Sequence, residues 1–249
     1  MKNNSVTLIY FSPTGTTRRV LEAVAEGIGY TPVETVDLTP PAFMEGEGPA
    51  IDAGCALIGV PVYAGRVPLV AVERLKKIRA RNVPAVLVVL YGNRAFEDAL
   101  LELKEISTDA GFLPVAGAAF IGEHSFARED APIALGRPDE SDLARAHDFG
   151  RRIKNKLGDH SAAGGWAPLE VPGKVPYRER APRAPAAPRS VVAACTLCGT
   201  CETVCPTGAV AVAARVETDP ENCILCHACV KRCPTGARVM DGELSLIHI

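Results

Sequence analysis

Eight cysteines crowd into 39 residues near the end of the chain, and they fall into two matched sets. Cys195, Cys198, Cys201 and Cys205 lead into Pro206 in the run CTLCGTCETVCPTGA. Twenty-eight residues on, Cys223, Cys226, Cys229 and Cys233 lead into Pro234 in CILCHACVKRCPTGA. Each set reads C-x2-C-x2-C-x3-C-P, the spacing that holds a four-iron cluster. Short spacing lets three thiolates of one loop wrap a single cubane, while the fourth opens the next short helix and reaches the other cluster. The expected ligand sets are Cys195, Cys198, Cys201 and Cys233 for one cluster, and Cys223, Cys226, Cys229 and Cys205 for the other. A disulfide framework would need an oxidising compartment, yet Met1 to Phe11 lacks the basic region, apolar core and cleavage site of an export signal. Structural zinc could use the CxxC pairs, but a third cysteine at CxxC spacing, the x3-C-P ending and the duplication favour iron–sulfur. Eight thiolates complete both sets, so His227 in the second loop is expected to face solvent. Cys55 stands alone in an apolar run and reads as a small core hydrophobe.

The 249 residues are enough for two compact units, and 47% apolar with 22% charged residues is a globular composition. A formal charge of −2 offers no field for nucleic acid, and no apolar run is long enough to span a bilayer. Three segments separate. Residues 1–157 alternate strand-like and helical patterns, and 158–190 form a Pro/Ala/Gly-rich connector. The cysteine module occupies 191–243. Pro168, Pro172, Pro176, Pro182, Pro185 and Pro188 preclude a long helix or central strand in the connector. Its basic residues (Lys174, Arg178, Arg180, Arg183, Arg189) are expected to be solvated surface.

In the first segment, Val6–Phe11, Ala53–Val60, Val86–Leu90 and Val115–Ile121 are nearly unbroken apolar runs. Continuous hydrophobicity suits parallel strands covered on both faces, and the more polar Val33–Leu38 fits an edge. Helical faces lie between them, including Val20, Leu21, Val24, Ala25 and Ile28. The last helix, Asp139–Leu157, is acidic at its start and basic at its end, matching the helix dipole. The result is a doubly wound α/β domain whose ligand site lies at the carboxyl ends of its strands. Directly after the first strand, Ser12-Pro13-Thr14-Gly15-Thr16-Thr17 brings hydroxyls and N–H groups to a helix start, which suits a phosphate. Neither a P-loop lysine nor G-x-G-x-x-G is present.

The Ser12–Thr17 run resembles the loop of flavodoxins around the FMN phosphate. Pro61-Val62-Tyr63-Ala64-Gly65 and Tyr91-Gly92-Asn93 stand where that family's two other flavin loops stand. The resemblance implies strand order 2-1-3-4-5, cofactor contacts from Ser12, Thr14, Gly15, Thr16 and Thr17, and a ring flanked by Pro61 to Gly65 and Tyr91 to Asn93. In it, Tyr63 or Tyr91 would stack on the ring, and Gly65 and Gly92 would let backbone approach. The sequence departs from the family in lacking a tryptophan in the second loop; Trp166 lies in the connector. The cysteine module, in turn, resembles the small α+β bacterial ferredoxin with two [4Fe-4S] clusters.

The whole chain, through FSPTGTT, PVYAGRVP, YGNRAFEDAL and the two CPTGA repeats, resembles the flavodoxin–ferredoxin fusion family of anaerobic prokaryotes. That resemblance implies a cytoplasmic, oxygen-sensitive electron-transfer protein passing electrons between two [4Fe-4S] clusters and FMN. Its expected partners are redox proteins with a basic docking face, since each oxidised cluster with four thiolates carries −2. Two other readings stay open: an FMN-dependent reductase of quinones or nitro compounds, with Glu123, His124 and Ser125 near its substrate, and a flavin-less iron–sulfur sensor or scaffold. Leu244–Ile249 (LSLIHI) is what CTGTCTCTTATACACATC, the start of a sequencing adaptor, encodes. The natural coding sequence is therefore expected to depart near Glu243.

Overall fold

The computed structural model describes residues 4–160, 165–180, 182 and 184–240. Leu244–Ile249 lies outside the described residues. Five parallel strands form the first domain's sheet: β1 (Val6–Tyr10), β2 (Val33–Asp37), β3 (Cys55–Pro61), β4 (Val83–Tyr91) and β5 (Phe112–Ile121). Their order is 2-1-3-4-5, as the flavodoxin resemblance implies, and β2 is the more exposed edge strand. Helices α1 (Thr16–Ile28) and α4 (Glu140–His160) cover one face; α2 (Leu69–Leu75) and α3 (Ala99–Asp109) accompany the other.

Side chains alternate along each strand, so one sheet feeds two cores. Ile9, Phe11, Ile58, Val60, Leu87 and Val89 join Leu75 and Leu103 on the α2–α3 side. Leu8, Tyr10, Leu57, Val86 and Val88 meet Val20, Leu21, Val24 and Ile28 of α1 and Ala146 and Ile153 of α4. Each Val, Leu, Ile or Phe among them, fully buried, contributes roughly 1.5–3 kcal/mol of transfer free energy. Cys55 is among them, 2% exposed, as a small apolar filler.

After α4, which runs three residues past Leu157, the connector lies along the first domain. Asp98 accepts hydrogen bonds from the N–H groups of Lys174 (2.9 Å) and Arg178 (2.7 Å). Arg178 pairs with Glu97, and Arg180 pairs with Glu102 at 3.2 Å. Arg178 and Arg180 are thus anchors, which corrects the expectation of a solvated basic surface for these two, while Lys174 is exposed and Arg183 lies outside the described residues. Composition shows the charge of such residues but not the carboxylates that the fold sets opposite them.

The second module is built on paired short elements. Strand β6 (Arg189–Ser190) pairs antiparallel with β9 (Arg238–Val239), and β7 (Val210–Val212) pairs with β8 (Val216–Thr218). Two four-residue helices, α5 (Thr200–Thr203) and α6 (Ala228–Lys231), occupy equivalent places in the two repeats. Leu197 and Leu225 share a left-handed backbone (φ 53° and 52°), as do Gly199 and His227 (φ 77° and 59°). The sequence repeat is therefore also a repeat of local structure.

Candidate functional site

The duplicated turns gather the cysteines into two groups. Cys195, Cys198, Cys201 and Cys233 line one small cavity; Cys205, Cys223, Cys226 and Cys229 line another. Cys233 thus stands with the first three cysteines and Cys205 with the last three. Burial pushes the Cys226 thiol up to about 12, and coordination to cationic iron is what would hold a thiolate in such a place. Hydroxyls stand beside the sulfurs: Thr200 Oγ1 is 3.3 Å from Cys198 Sγ and Thr207 Oγ1 is 3.7 Å from Cys205 Sγ.

Two buried arginines bear on the same donor sets. Arg238, 3% exposed, donates to the Pro188 carbonyl, Thr218 Oγ1 and Ser190 Oγ, and its Nη2 lies 3.8 Å from Cys229 Sγ. Arg74, 2% exposed, donates to the carbonyls of Leu38 (2.5 Å), Thr39 (2.7 Å) and Pro206 (2.6 Å), the last directly after Cys205. Each keeps a buried Nε without a partner, and neither forms a carboxylate ion pair among the described residues. Buried cations of this kind call for a buried anion, and anionic iron–sulfur clusters fit that demand.

At the carboxyl ends of β1, β3, β4 and β5 lies a cleft of about 370 Å³, within the range of small-molecule sites. Thr14, Thr16 and Thr17 line its polar end, where α1 begins with neither a side-chain cap nor an acidic residue in its first turn. Pro61, Val62, Tyr63, Ala64, Tyr91 and Gly92 line the remainder, together with Glu123, His124, Ser125 and Phe126 from the loop after β5. Desolvation, with the Cys226 thiol nearby, holds the Tyr63 phenol well above its ordinary value. Such a cleft, hydroxyl-lined at a helix start and apolar beyond, fits a phosphate ester carrying a flat aromatic ring.

Four expected contact residues stand back from the lining. The Ser12 hydroxyl accepts the Arg18 N–H at 3.1 Å, and so shapes the loop from within. Gly15 provides the left-handed turn (φ 87°) before α1. A Cβ on Gly65 would collide with the Glu97 carboxylate, so that glycine admits a protein side chain. Gly92, on the lining itself, likewise makes room for the His124 ring. Asn93 adopts φ 61° in the loop after β4.

His227 differs from its expectation. It is 6% exposed, its ring lies 4.4 Å from Phe126, and burial lowers its imidazole to about 4. The first domain's loop after β5 covers it. That same packing brings in residues which no motif marked. Ile224 and Leu225, between Cys223 and Cys226, line the cleft of the other domain. Lys231 pairs with Glu123 and donates to the Ala127 carbonyl at 2.5 Å. Contacts of this kind join positions about a hundred residues apart, and local periodicity carries no trace of them.

Residues 194–237 match the family model of the 4Fe-4S dicluster domain. The search of curated proteins found no match to the chain. Among solved structures, a flavodoxin from the domain Archaea is similar at 16% identity, covering 62% of this chain and 99% of its own, with a TM-score of 0.39. Flavodoxin 1 of Bacillus cereus is similar at 15% identity over 61% of this chain and 97% of its own, with a TM-score of 0.41. Rubredoxin oxygen:oxidoreductase of Desulfovibrio gigas is similar at 18% identity over 65% of this chain and 38% of its own, with a TM-score of 0.46. The strand order of the first domain and the family match of the second define an iron–sulfur protein of the electron-transfer class. In architecture the chain joins an α/β domain of flavodoxin-like strand order to a 4Fe-4S dicluster domain. Among the described residues, no helix is long and apolar enough to cross a membrane.

Proposed function

We propose that the protein passes electrons between two [4Fe-4S] clusters and FMN, and that redox partner proteins supply or collect them. The observation that carries this reading is the shared wall: Ile224 and Leu225, set between Cys223 and Cys226, line the same cleft as Thr14, Thr16 and Tyr63. When bound, the clusters exchange single electrons and the flavin can hold one or two. The chain's own part is placement. The Cys195, Cys198, Cys201 and Cys233 thiolates would hold one cluster, and Cys223, Cys226, Cys229 and Cys205 the other. Thr14, Thr16 and Thr17 would receive the flavin phosphate, while Pro61 to Ala64, Tyr91 and Gly92 would flank the ring. Tethering by the anchored connector replaces diffusion with a fixed neighbour, so the two cofactor sites need not find each other.

Anaerobic purification with iron, sulfide and flavin measured per chain tests this reading. About eight irons and one FMN are expected. Iron without flavin, even after FMN is added, would leave the dicluster half alone standing. A reductase reading has its own support in His124 and Ser125 on the cleft lining, and acceptor-dependent turnover would separate it from a carrier.

A further inference from the structure

The loop expected to meet the flavin phosphate contains no lysine or arginine, from Ser12 to Thr17. The first arginine after it, Arg18, is engaged by Glu22 at 2.7 Å. A phosphate held there would have the α1 N-terminus and hydroxyls but no cation from the loop itself. The second module brings one. Arg232 Nη2 lies 3.2 Å from where a Cβ on Gly15 would stand, so the guanidinium reaches the turn of that loop. Among the described residues Arg232 pairs with no carboxylate, whereas its neighbour Lys231 is committed to Glu123 and Ala127.

We infer that the flavin site is shared between modules, with Arg232 of the dicluster domain clamping the phosphate at the Thr14–Thr17 loop while Leu225 closes the ring end. The inference rests on the flavin reading above and adds to it a residue from outside the α/β domain. A guanidinium suits this task, because its planar fork can donate two hydrogen bonds to phosphate oxygens. The backbone also sets its place. Arg232 caps the end of α6, where its N–H donates to the Ala228 carbonyl at 3.0 Å, and it stands between Cys229 of one thiolate set and Cys233 of the other. Cluster assembly therefore fixes the segment that carries the clamp.

The test compares FMN with riboflavin, which lacks the phosphate, by anaerobic equilibrium dialysis against the full chain with iron counted in every preparation. Arg232→Ala should weaken FMN binding roughly tenfold to hundredfold and leave riboflavin binding unchanged. Arg232→Lys should recover part of the loss by restoring a point charge. Unchanged FMN affinity in Arg232→Ala overturns the clamp, and so does an equal loss for both ligands, which would signify disturbed packing. Wild-type protein that binds neither ligand would instead remove the flavin reading itself, and the clamp with it.

Discussion

Arg238 and Arg74 are the residues whose chemistry is least expected of a protein interior. Each guanidinium is almost fully buried and hydrogen-bonded to carbonyls or hydroxyls rather than to an acid. Desolvation alone would cost several kcal/mol per charge; the Asp37 and Glu73 charges offset part of it at Arg74, and an anionic cluster would do so at Arg238. A cluster becomes more negative on reduction, and a fixed cation beside its sulfur favours that state. Arg238→Gln, which keeps a donor but removes the charge, should therefore lower a cluster potential by roughly tens of millivolts. A redox titration followed by electron paramagnetic resonance measures it, and unchanged potentials would show that the charge is not felt. The grouping of the cysteines around two cavities was legible in the sequence because the spacing of each set is local. Arg74 and Arg238 were not, since nothing beside them in the chain reveals that one would be buried against the Pro206 carbonyl and the other beside the Cys229 sulfur. His227 misled for the same reason: it occupies the position of Gly199 in the first repeat, but Phe126, a hundred residues earlier, covers it.

The elements show how tightly the α/β domain is closed. Helices α1 and α4 touch backbone to backbone: a Cβ on Gly27 would fall inside the His147 carbonyl, and one on Gly150 inside that of Val24. Gly150→Ala should thus destabilise the domain by about 1–3 kcal/mol through forced separation, although alanine is the better helix former. Denaturant unfolding reads this, and a stability gain would mean the helices can part freely. Strand runs were readable because unbroken apolar stretches identify buried parallel strands, whereas the 2-1-3-4-5 order came from the flavodoxin resemblance and not from the runs themselves. The crossing glycines were not, because a glycine in a helix looks like a weakness until its neighbour is known. For the connector, the Asp98 carboxyl is held below its ordinary value chiefly by the Arg178 N–H, with the Lys174 N–H adding to it. A depressed carboxyl stabilises above its unfolded pKa and loses that contribution as pH falls through the folded value. The connector should accordingly become protease-sensitive below about pH 4, and Asp98→Asn should make it so at neutral pH. Equal cleavage of both proteins at pH 7 would show that these hydrogen bonds do not hold it.

At the scale of the whole molecule, the two modules meet at points that also define the cofactor sites. Arg74 reaches Pro206, Lys231 reaches Glu123 and Ala127, Arg232 reaches Gly15, and Leu225 lines the cleft. All four points on the dicluster side lie on loops or at the end of the four-residue α6, each within two residues of a cysteine. Such short segments have little stability of their own, so bound clusters would be what orders them. Flavin affinity should then depend on cluster content, and linkage requires the reverse dependence to be equal in size. Protein freed of iron by anaerobic chelation should bind FMN roughly tenfold or more weakly than reconstituted protein, through loss of the Arg232 charge and the Leu225 wall. Riboflavin should lose less, because only the wall acts on it. Conversely, saturating FMN should slow the release of iron to a chelator. Dialysis and the chelation time course measure the two directions on one preparation. Equal FMN affinity with and without iron would mean that the α/β domain holds its flavin unaided, and that the contacts between modules serve docking alone.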